Sequence, residues 1–222
     1  MNLAIVIPTY NEKDNIQPLT EEILKIVPET NILIVDDNSP DGTGKIADEL
    51  AKQYPQIKVL HREKKEGVGK AYIAGFKEAL KMNPDYVLQM DADFSHDPKY
   101  IPLFMEEISH CDVVLGSRFL NRNGGLPYVF RFSLWANFYV KCLLGLKVTD
   151  TLGGFKCFRK RVIEEVELDS TISNGFIFQA EFIYRAIKKG FLVYEIPALH
   201  PFRFINSEFR DNGRGYIYYR RI

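Results

Sequence analysis

Tyr86-Val87-Leu88-Gln89-Met90-Asp91-Ala92-Asp93 decides the fold. A mostly apolar run ends in two carboxylates one residue apart. Such a run, bounded by turn chemistry, reads as a strand buried on both faces. In an open α/β sheet, ligands bind outside the carboxyl ends of the strands. Hard divalent cations take oxygen ligands and bridge to substrate phosphates. Asp91 and Asp93 are therefore candidate ligands for a metal and a diphosphate. Asp-x-Asp alone is equally turn chemistry or a helix cap. Its weight comes from what stands at the ends of the other strands.

Ile32-Leu33-Ile34-Val35 is a second uninterrupted apolar run, followed by Asp36-Asp37-Asn38-Ser39-Pro40-Asp41-Gly42-Thr43. Pro fixes φ and Gly allows positive φ, so this is turn material that also offers Asp36, Asp37 and Asp41 to ribose hydroxyls or a base edge. The first strand, Leu3 to Ile7, ends in Pro8-Thr9-Tyr10-Asn11-Glu12. A fifth strand, Asp112 to Leu115, ends in Gly116-Ser117-Arg118. Polar clusters at these strand ends point to one rim. There the planar fork of Arg118 suits a phosphate, although a surface ion pair is the plain alternative.

Between these runs lie helical patterns: one through Val27, one near Gly44–Gln53, one from Val68 to Lys81 and one beginning at Pro98 behind an Asp97 cap. This βαβα alternation predicts an α/β fold, a largely parallel sheet with helices on both faces. The alternation weakens after residue 120. Then come a loop at Asn121–Gly125, an aromatic helix-like segment, a Gly153-Gly154 turn and a short strand Phe155–Phe158. A helix near Phe176–Lys189 and a strand Phe191–Ile196 follow. The chain of 222 residues is expected to form a single domain over 1–222. Residues 1–120 make the nucleotide-binding half, 121–205 the acceptor-binding half, and 206–222 a tail for membrane-surface or partner contact.

The formal net charge is zero, so nothing global favours nucleic acid. Three cysteines without metal-type spacing read as reduced thiols in a cytosolic protein. A spanning helix needs about 20 mostly apolar residues, and the apolar stretch Leu126–Leu146 is interrupted by Arg131 and Lys141. Its core, Leu126 to Val140, is aromatic and nearly apolar all round. It fits a buried helix or one lying in a membrane interface equally well. Tyr216 to Tyr219, flanked by Arg214, Arg220 and Arg221, favours a headgroup layer or a partner. Glu66-Gly67-Val68-Gly69-Lys70-Ala71 fails the P-loop pattern and reads as a helix-starting turn. Direct substrate contact through it, with Lys70 as a donor ligand, is the alternative.

Taken together, Pro8–Glu12, Asp36–Thr43, Asp91-Ala92-Asp93 and Gly116-Ser117-Arg118 resemble, in order and spacing, the family 2 glycosyltransferases. Arg62–Gly67, Ser95–Pro102, Asp150–Phe155 and Gly175–Glu181 resemble the dolichol-phosphate mannose synthases within that family. The resemblance covers roughly residues 3 to 200. It implies a GT-A fold and inverting transfer of a sugar, mannose from GDP-mannose being favoured, to a dolichyl or polyprenyl phosphate. By position, Pro8, Tyr10, Glu12 and Asp36 would line the nucleoside pocket. Asp91, Ala92 and Asp93 would meet the diphosphate and Mg²⁺ or Mn²⁺. Arg118, Arg131 and Arg203 would hold the acceptor phosphate.

Gln179 and Glu181 fall in a later family block as acceptor-side or positioning residues, Glu181 being the base a soluble hydroxyl acceptor would need. Where many relatives have Gln, this chain has Ser95; where they have a C-terminal Lys, it has Glu208. The resemblance also implies peripheral attachment to the cytoplasmic face of a membrane, with a small membrane subunit as a further partner. A different donor such as UDP-glucose, a soluble glycan acceptor, or a non-catalytic nucleotide-sugar-binding subunit are the alternatives.

Overall fold

Along the first strand, Ala4 and Val6 bury into one hydrophobic cluster while Ile5 and Ile7 bury into another. Successive side chains of a strand point to opposite faces, so both faces must be covered. The computed structural model describes residues 2–120, 130–198 and 220–221, giving the backbone alone for 130–133 and 220–221. Its elements run β1 (Leu3–Thr9), α1 (Ile16–Ile26), β2 (Asn31–Asp36), α2 (Thr43–Gln53), β3 (Ile57–His61), α3 (Val68–Leu80), β4 (Tyr86–Gln89), α4 (Ile101–Glu107), β5 (Val113–Ser117), α5 (Phe130–Leu144), β6 (Lys156–Arg159), α6 (Lys160–Glu165), α7 (Ile177–Lys188), β7 (Val193–Pro197) and the two-residue β8 (Arg220–Arg221). Ile16, Leu19, Ala47 and Phe104 from α1, α2 and α4 cover one face. Tyr72, Phe76, Phe178 and Phe182 from α3 and α7 cover the other.

The strand order is β3-β2-β1-β4-β6-β5-β7-β8. β1 pairs in parallel with β2 and β4, β2 with β3, and β5 with β7. Their carboxyl ends therefore share one rim, as the alternation predicts. β6 departs from it: it runs antiparallel between β4 and β5. After α5 the chain re-enters the sheet from the rim at Phe155, so the next strand runs down instead of up. The helix expected from Pro98 begins as a single 3₁₀ turn, Pro98–Tyr100, before α4. Asp97 caps it as expected, its side chain accepting from the Lys99 N–H at 3.0 Å.

Over residues 134–140, the part of the aromatic segment whose side chains are described, the buried-helix alternative does not hold. Among the described side chains of α5 the aromatic ones face out and an amide faces in. Trp135, Phe138, Tyr139 and Leu143 are 62–75% exposed, whereas Asn137 is buried. Those four fall at the i, i+3, i+4 and i+8 spacing of one helix face. No helix among the described residues is long and apolar enough to cross a membrane.

Candidate active site

The β4 run delivers Asp91 to the rim, and α3 fixes its orientation. The buried Tyr72 hydroxyl donates to Asp91 Oδ1 at 2.6 Å. Burial, and then the Asp91 charge, push the phenol well above its usual range, so Tyr72 remains a donor. The Asp91 N–H donates to His96 Nδ1 at 2.9 Å. That bond leaves the ring proton on Nε2, which faces Asp91 Oδ2 at 3.8 Å. Burial lowers the His96 pKa, against the pull of Asp91 and Asp93, and favours the neutral ring. The ring stacks on Phe155 with centroids 4.9 Å apart. Gly154 closes the site: a Cβ there would lie 2.8 Å from Asp91 Oδ2 and 3.0 Å from His96 Cε1.

Asp93 is exposed. Its Oδ1 accepts the Ser95 N–H at 2.8 Å, and Phe94 between them has φ of 58°. A positive φ at a bulky residue is strained, and such strain clusters at functional sites. Glu12 belongs to the same acidic neighbourhood. Burial raises its pKa, Asn15 opposes this through a hydrogen bond, and the charges of Asp93, Asp41 and Asp91 add to the rise. Among the described residues no group of three or more His, Cys, Asp or Glu is disposed to hold a metal. Among the described residues, Asp91 and Asp93 offer carboxylate oxygens at this rim. That set suits a hard cation which completes its shell with water and phosphate oxygens.

The residues expected on the nucleoside side are engaged within their own loop and with neighbouring strand-end loops. Asp36 is buried. Its Oδ1 accepts from the Ser39 hydroxyl at 2.6 Å and Thr9 Oγ1 at 3.3 Å, its Oδ2 from the Ser39 N–H at 3.2 Å. Asp37 is buried against Arg62 at 2.5 Å; burial raises its pKa and Arg62 opposes the shift. Asp41 accepts from Thr43 and from the Lys13 N–H; burial alone would raise it, but these bonds win and hold its carboxyl low. Tyr10 lies under the Lys65 ammonium, 3.8 Å from the ring centroid. Pro8 is half-buried on β1. Ala92 packs into the core, which leaves its backbone as the part a ligand could meet. Lys70 is exposed and pairs with Glu66 at 3.4 Å. The turn before it is pinned by Asn174 from the loop ahead of α7, whose Nδ2 donates to Glu66 O at 2.6 Å. Gly67, at φ of 102°, has no room for a Cβ against that amide.

Arg118 leaves the end of β5 and forms a two-pronged pair with Asp150, Nε to Oδ2 at 2.7 Å and Nη2 to Oδ1 at 2.9 Å. Asp150 is wholly buried, while the Arg118 side chain stays 30% exposed. Burial lowers the Arg118 pKa, but Asp150 and then Asp91 outweigh it and raise it. Asp91 and Arg118 are thus within electrostatic reach. The loop bearing Asp150 is held from two sides. Buried Glu195 of β7 accepts from Thr149 N–H, Thr149 Oγ1 and Asp150 N–H at 2.8–3.1 Å. Asn137 of α5 donates to Thr149 O at 2.5 Å and accepts from the Thr151 N–H and hydroxyl at 2.7 and 2.6 Å.

Sequence reading offered Lys156 only as a further phosphate-binding candidate beside Arg131, Arg159 and Arg203, and missed Tyr72, Asn137 and Glu195 as participants. Each is a polar or phenolic side chain in an otherwise apolar stretch, and that was the available signal. Lys156 is buried beneath the rim, its Nζ donating to Gln179 Oε1, which also accepts from Gln89 Nε2 at 2.6 Å. Burial brings Lys156 down to about 7, with Asp150 and Asp91 pulling the other way. Gln179 therefore supports the floor of the site.

Glu181, the candidate base, is engaged elsewhere. It lies two residues on from Gln179, about 200° around α7. Its oxygens accept from Ile172 N–H, Ser173 N–H and Arg185. Burial would raise its pKa, but these bonds prevail and lower it, so it clamps a loop. Arg131 lies on the first turn of α5, its side chain outside the described residues; Arg203, Glu208 and most of the 206–222 tail lie outside them too.

A mostly parallel sheet with an acidic pair after β4 and an arginine after β5 defines the GT-A glycosyltransferase class. The fold aligns with glucosyl-3-phosphoglycerate synthase from Mycobacterium tuberculosis at a TM-score of 0.62 and 17% identity, over 85% of this chain and 66% of that one. It also aligns with the mannosyltransferase PcManGT from Pyrobaculum calidifontis, solved with GDP-Man and Mn²⁺, at 0.51 and 16%, over 75% and 46%. The chain belongs to glycosyl transferase family 2, whose sequence model matches residues 4–167, and is a glycosyltransferase. It is 37% identical over 200 residues to the undecaprenyl-phosphate mannosyltransferase of Micrococcus luteus, covering 89% of this chain and 82% of that protein. It is 37% identical over 198 residues to the polyprenol monophosphomannose synthase of Mycolicibacterium smegmatis, covering 87% and 75%.

Proposed function

We propose that this enzyme transfers mannose from GDP-mannose to a polyprenyl phosphate at a membrane surface. The observation that carries this is the partly exposed Arg118 side chain, held by Asp150 within electrostatic reach of Asp91 on one rim. The names of the similar mannosyltransferases support the sugar and the lipid acceptor. Asp91 and Asp93 would hold Mg²⁺ or Mn²⁺, which when bound neutralises charge on the leaving diphosphate. Pro8, Tyr10, Glu12 and the Asp36–Asp41 loop would frame the nucleoside, with Lys70 at its edge.

Arg118, with Arg131 and Arg203, would orient the acceptor phosphate. A phosphate monoester has a second pKa near 6, so at neutral pH it is already a nucleophile. One of its oxygens forms the new bond to the anomeric carbon as the bond to the diphosphate oxygen breaks, with inversion. No side chain need remove a proton, in keeping with an engaged Glu181. Arg118 supplies orientation, which is worth much when the reacting atoms are held in line. The exposed aromatic face of α5 would lie in the headgroup region, placing the rim near a lipid-borne phosphate.

The test is a transfer assay with a short polyprenyl phosphate, Mg²⁺ or Mn²⁺, and GDP-mannose, UDP-glucose or UDP-N-acetylglucosamine offered separately. Lipid-extractable product from GDP-mannose, lost with EDTA, is the expected result. Product from a uridine donor instead would overturn the sugar assignment. Transfer to a soluble glycan alone would overturn the acceptor.

A further inference from the structure

The orientation of α5 makes Asn137 the residue that needs explaining. Its helix face of Trp135, Phe138, Tyr139 and Leu143 is exposed, yet the amide of Asn137 is buried. A buried amide is retained only where its hydrogen bonds are made, and this one makes three. Its Nδ2–H and Oδ1 meet Thr149 C=O and Thr151 N–H as a neighbouring strand's peptide group would. The residue between those two is Asp150, whose carboxylate grips Arg118 through two bonds and also accepts the Arg118 N–H at 3.1 Å. Two sets of hydrogen bonds, joined by the backbone of residues 149–151, therefore connect α5 to the guanidinium.

On the far side of the loop, Glu195 supplies a fixed anchor from β7, so the loop is clamped between the sheet and α5. The sheet end of that clamp is Glu195 on β7. The other end is α5, which carries Arg131 on its first turn and the exposed apolar face of Trp135, Phe138, Tyr139 and Leu143.

We infer that Asn137 is a positioning residue that ties the exposed face of α5 to Arg118, so that seating α5 on a lipid surface sets the orientation of the acceptor-phosphate arginine. This rests on the function proposed above. It adds that the response to a membrane passes through one amide.

The experiment uses the full chain, GDP-mannose and a short, water-soluble isoprenyl phosphate, with and without vesicles of mixed neutral and anionic phospholipid. The wild type is expected to show a lower acceptor KM with vesicles. Asn137→Ala is expected to raise the acceptor KM about tenfold, the scale of one or two lost hydrogen bonds, with donor KM little changed. It should also lose the vesicle response while still binding the vesicles. Thr151→Val removes only the hydroxyl bond, keeps the backbone N–H bond, and should shift acceptor KM the same way by a smaller factor. It carries the test if Asn137→Ala does not fold.

Folded variants with a wild-type acceptor KM and an intact vesicle response would overturn the coupling alone. So would an equal loss of donor and acceptor affinity, the mark of a merely structural role. Absence of any lipid-linked product from the wild type would overturn the parent function and the coupling together.

Discussion

Asp36 and Arg118 stand at equivalent places, each at or just past the carboxyl end of a parallel strand, yet they are held in different ways. Asp36 is held by Ser39, three residues on, and by Thr9 from the adjoining strand. Arg118 is held by Asp150, 32 residues away, whose loop is anchored by Glu195, a further 45 residues on. The proposed nucleoside side of the rim is cross-linked mainly among the ends of β1, β2 and β3. The proposed acceptor side is assembled from β5, α5, the 149–154 loop and β7. The first joins segments from the start of the chain, whereas the second needs segments from its later half. Perturbations on the acceptor side should therefore spread, and those on the nucleoside side should stay local.

The sharpest break falls where the two sides meet. Asp91→Ala should lower transfer at least about a thousandfold, the scale of removing a main charge-stabilising group. Thermal unfolding run alongside should show the fold retained. Next, Asp150→Asn leaves Arg118 facing an amide in a wholly buried position. Breaking a buried pair from one side costs about 3 kcal/mol or more, so chemical denaturation should show a loss of that order together with a raised acceptor KM.

Lys156→Met should be the more stable protein near neutrality, by an amount on the order of a few kcal/mol. The folded-state pKa of Lys156, about 7, lies below that of the unfolded chain. Between about 7 and the ordinary lysine value the unfolded state holds the extra proton, so wild-type stability rises with pH across that window. The gap between Lys156→Met and wild type should close as pH rises from 7 toward 10, and Tm measured against pH checks it.

Tyr72→Phe removes one hydrogen bond to a charged group, about 1.5 kcal/mol, and should cost roughly tenfold in kcat/KM without a change in acceptor preference. Lys70→Ala breaks only an exposed pair and should alter stability by less than about 0.5 kcal/mol. If Lys70→Ala instead cost as much as Tyr72→Phe, the nucleoside side would be more interdependent than its hydrogen bonds indicate.

The same contrast explains what was legible in the sequence. Tyr86–Met90 and Ile32–Val35 are apolar runs with polar ends, so their strands and rim positions follow from local pattern. The Asp97-Pro98 cap is equally local. The antiparallel course of β6 is not, because Lys156–Arg159 carries no mark of direction and its orientation depends on where the preceding loop enters the sheet. The outward face of α5 was also hidden. An aromatic helix packs into a core or faces a lipid surface with the same composition, and only the burial of Asn137 separates the two. The role of Asp150 required knowing that residue 150 returns to residue 118, which no period or spacing encodes.

The placement of β6 has a consequence for how the chain is made. β4 and β5 follow one another in sequence but are not neighbours; β6 must enter between them. Until residue 159 has been synthesised, the β3-β2-β1-β4 sheet presents the open backbone edge of β4. Unpaired edges invite pairing with other chains, and late long-range pairing is slow. Nascent chains stalled between residues 120 and 155 are therefore expected to be the aggregation-prone species. In pulsed hydrogen exchange during refolding, the amides of β4 that face β6 should gain protection later than those of β1 and β2.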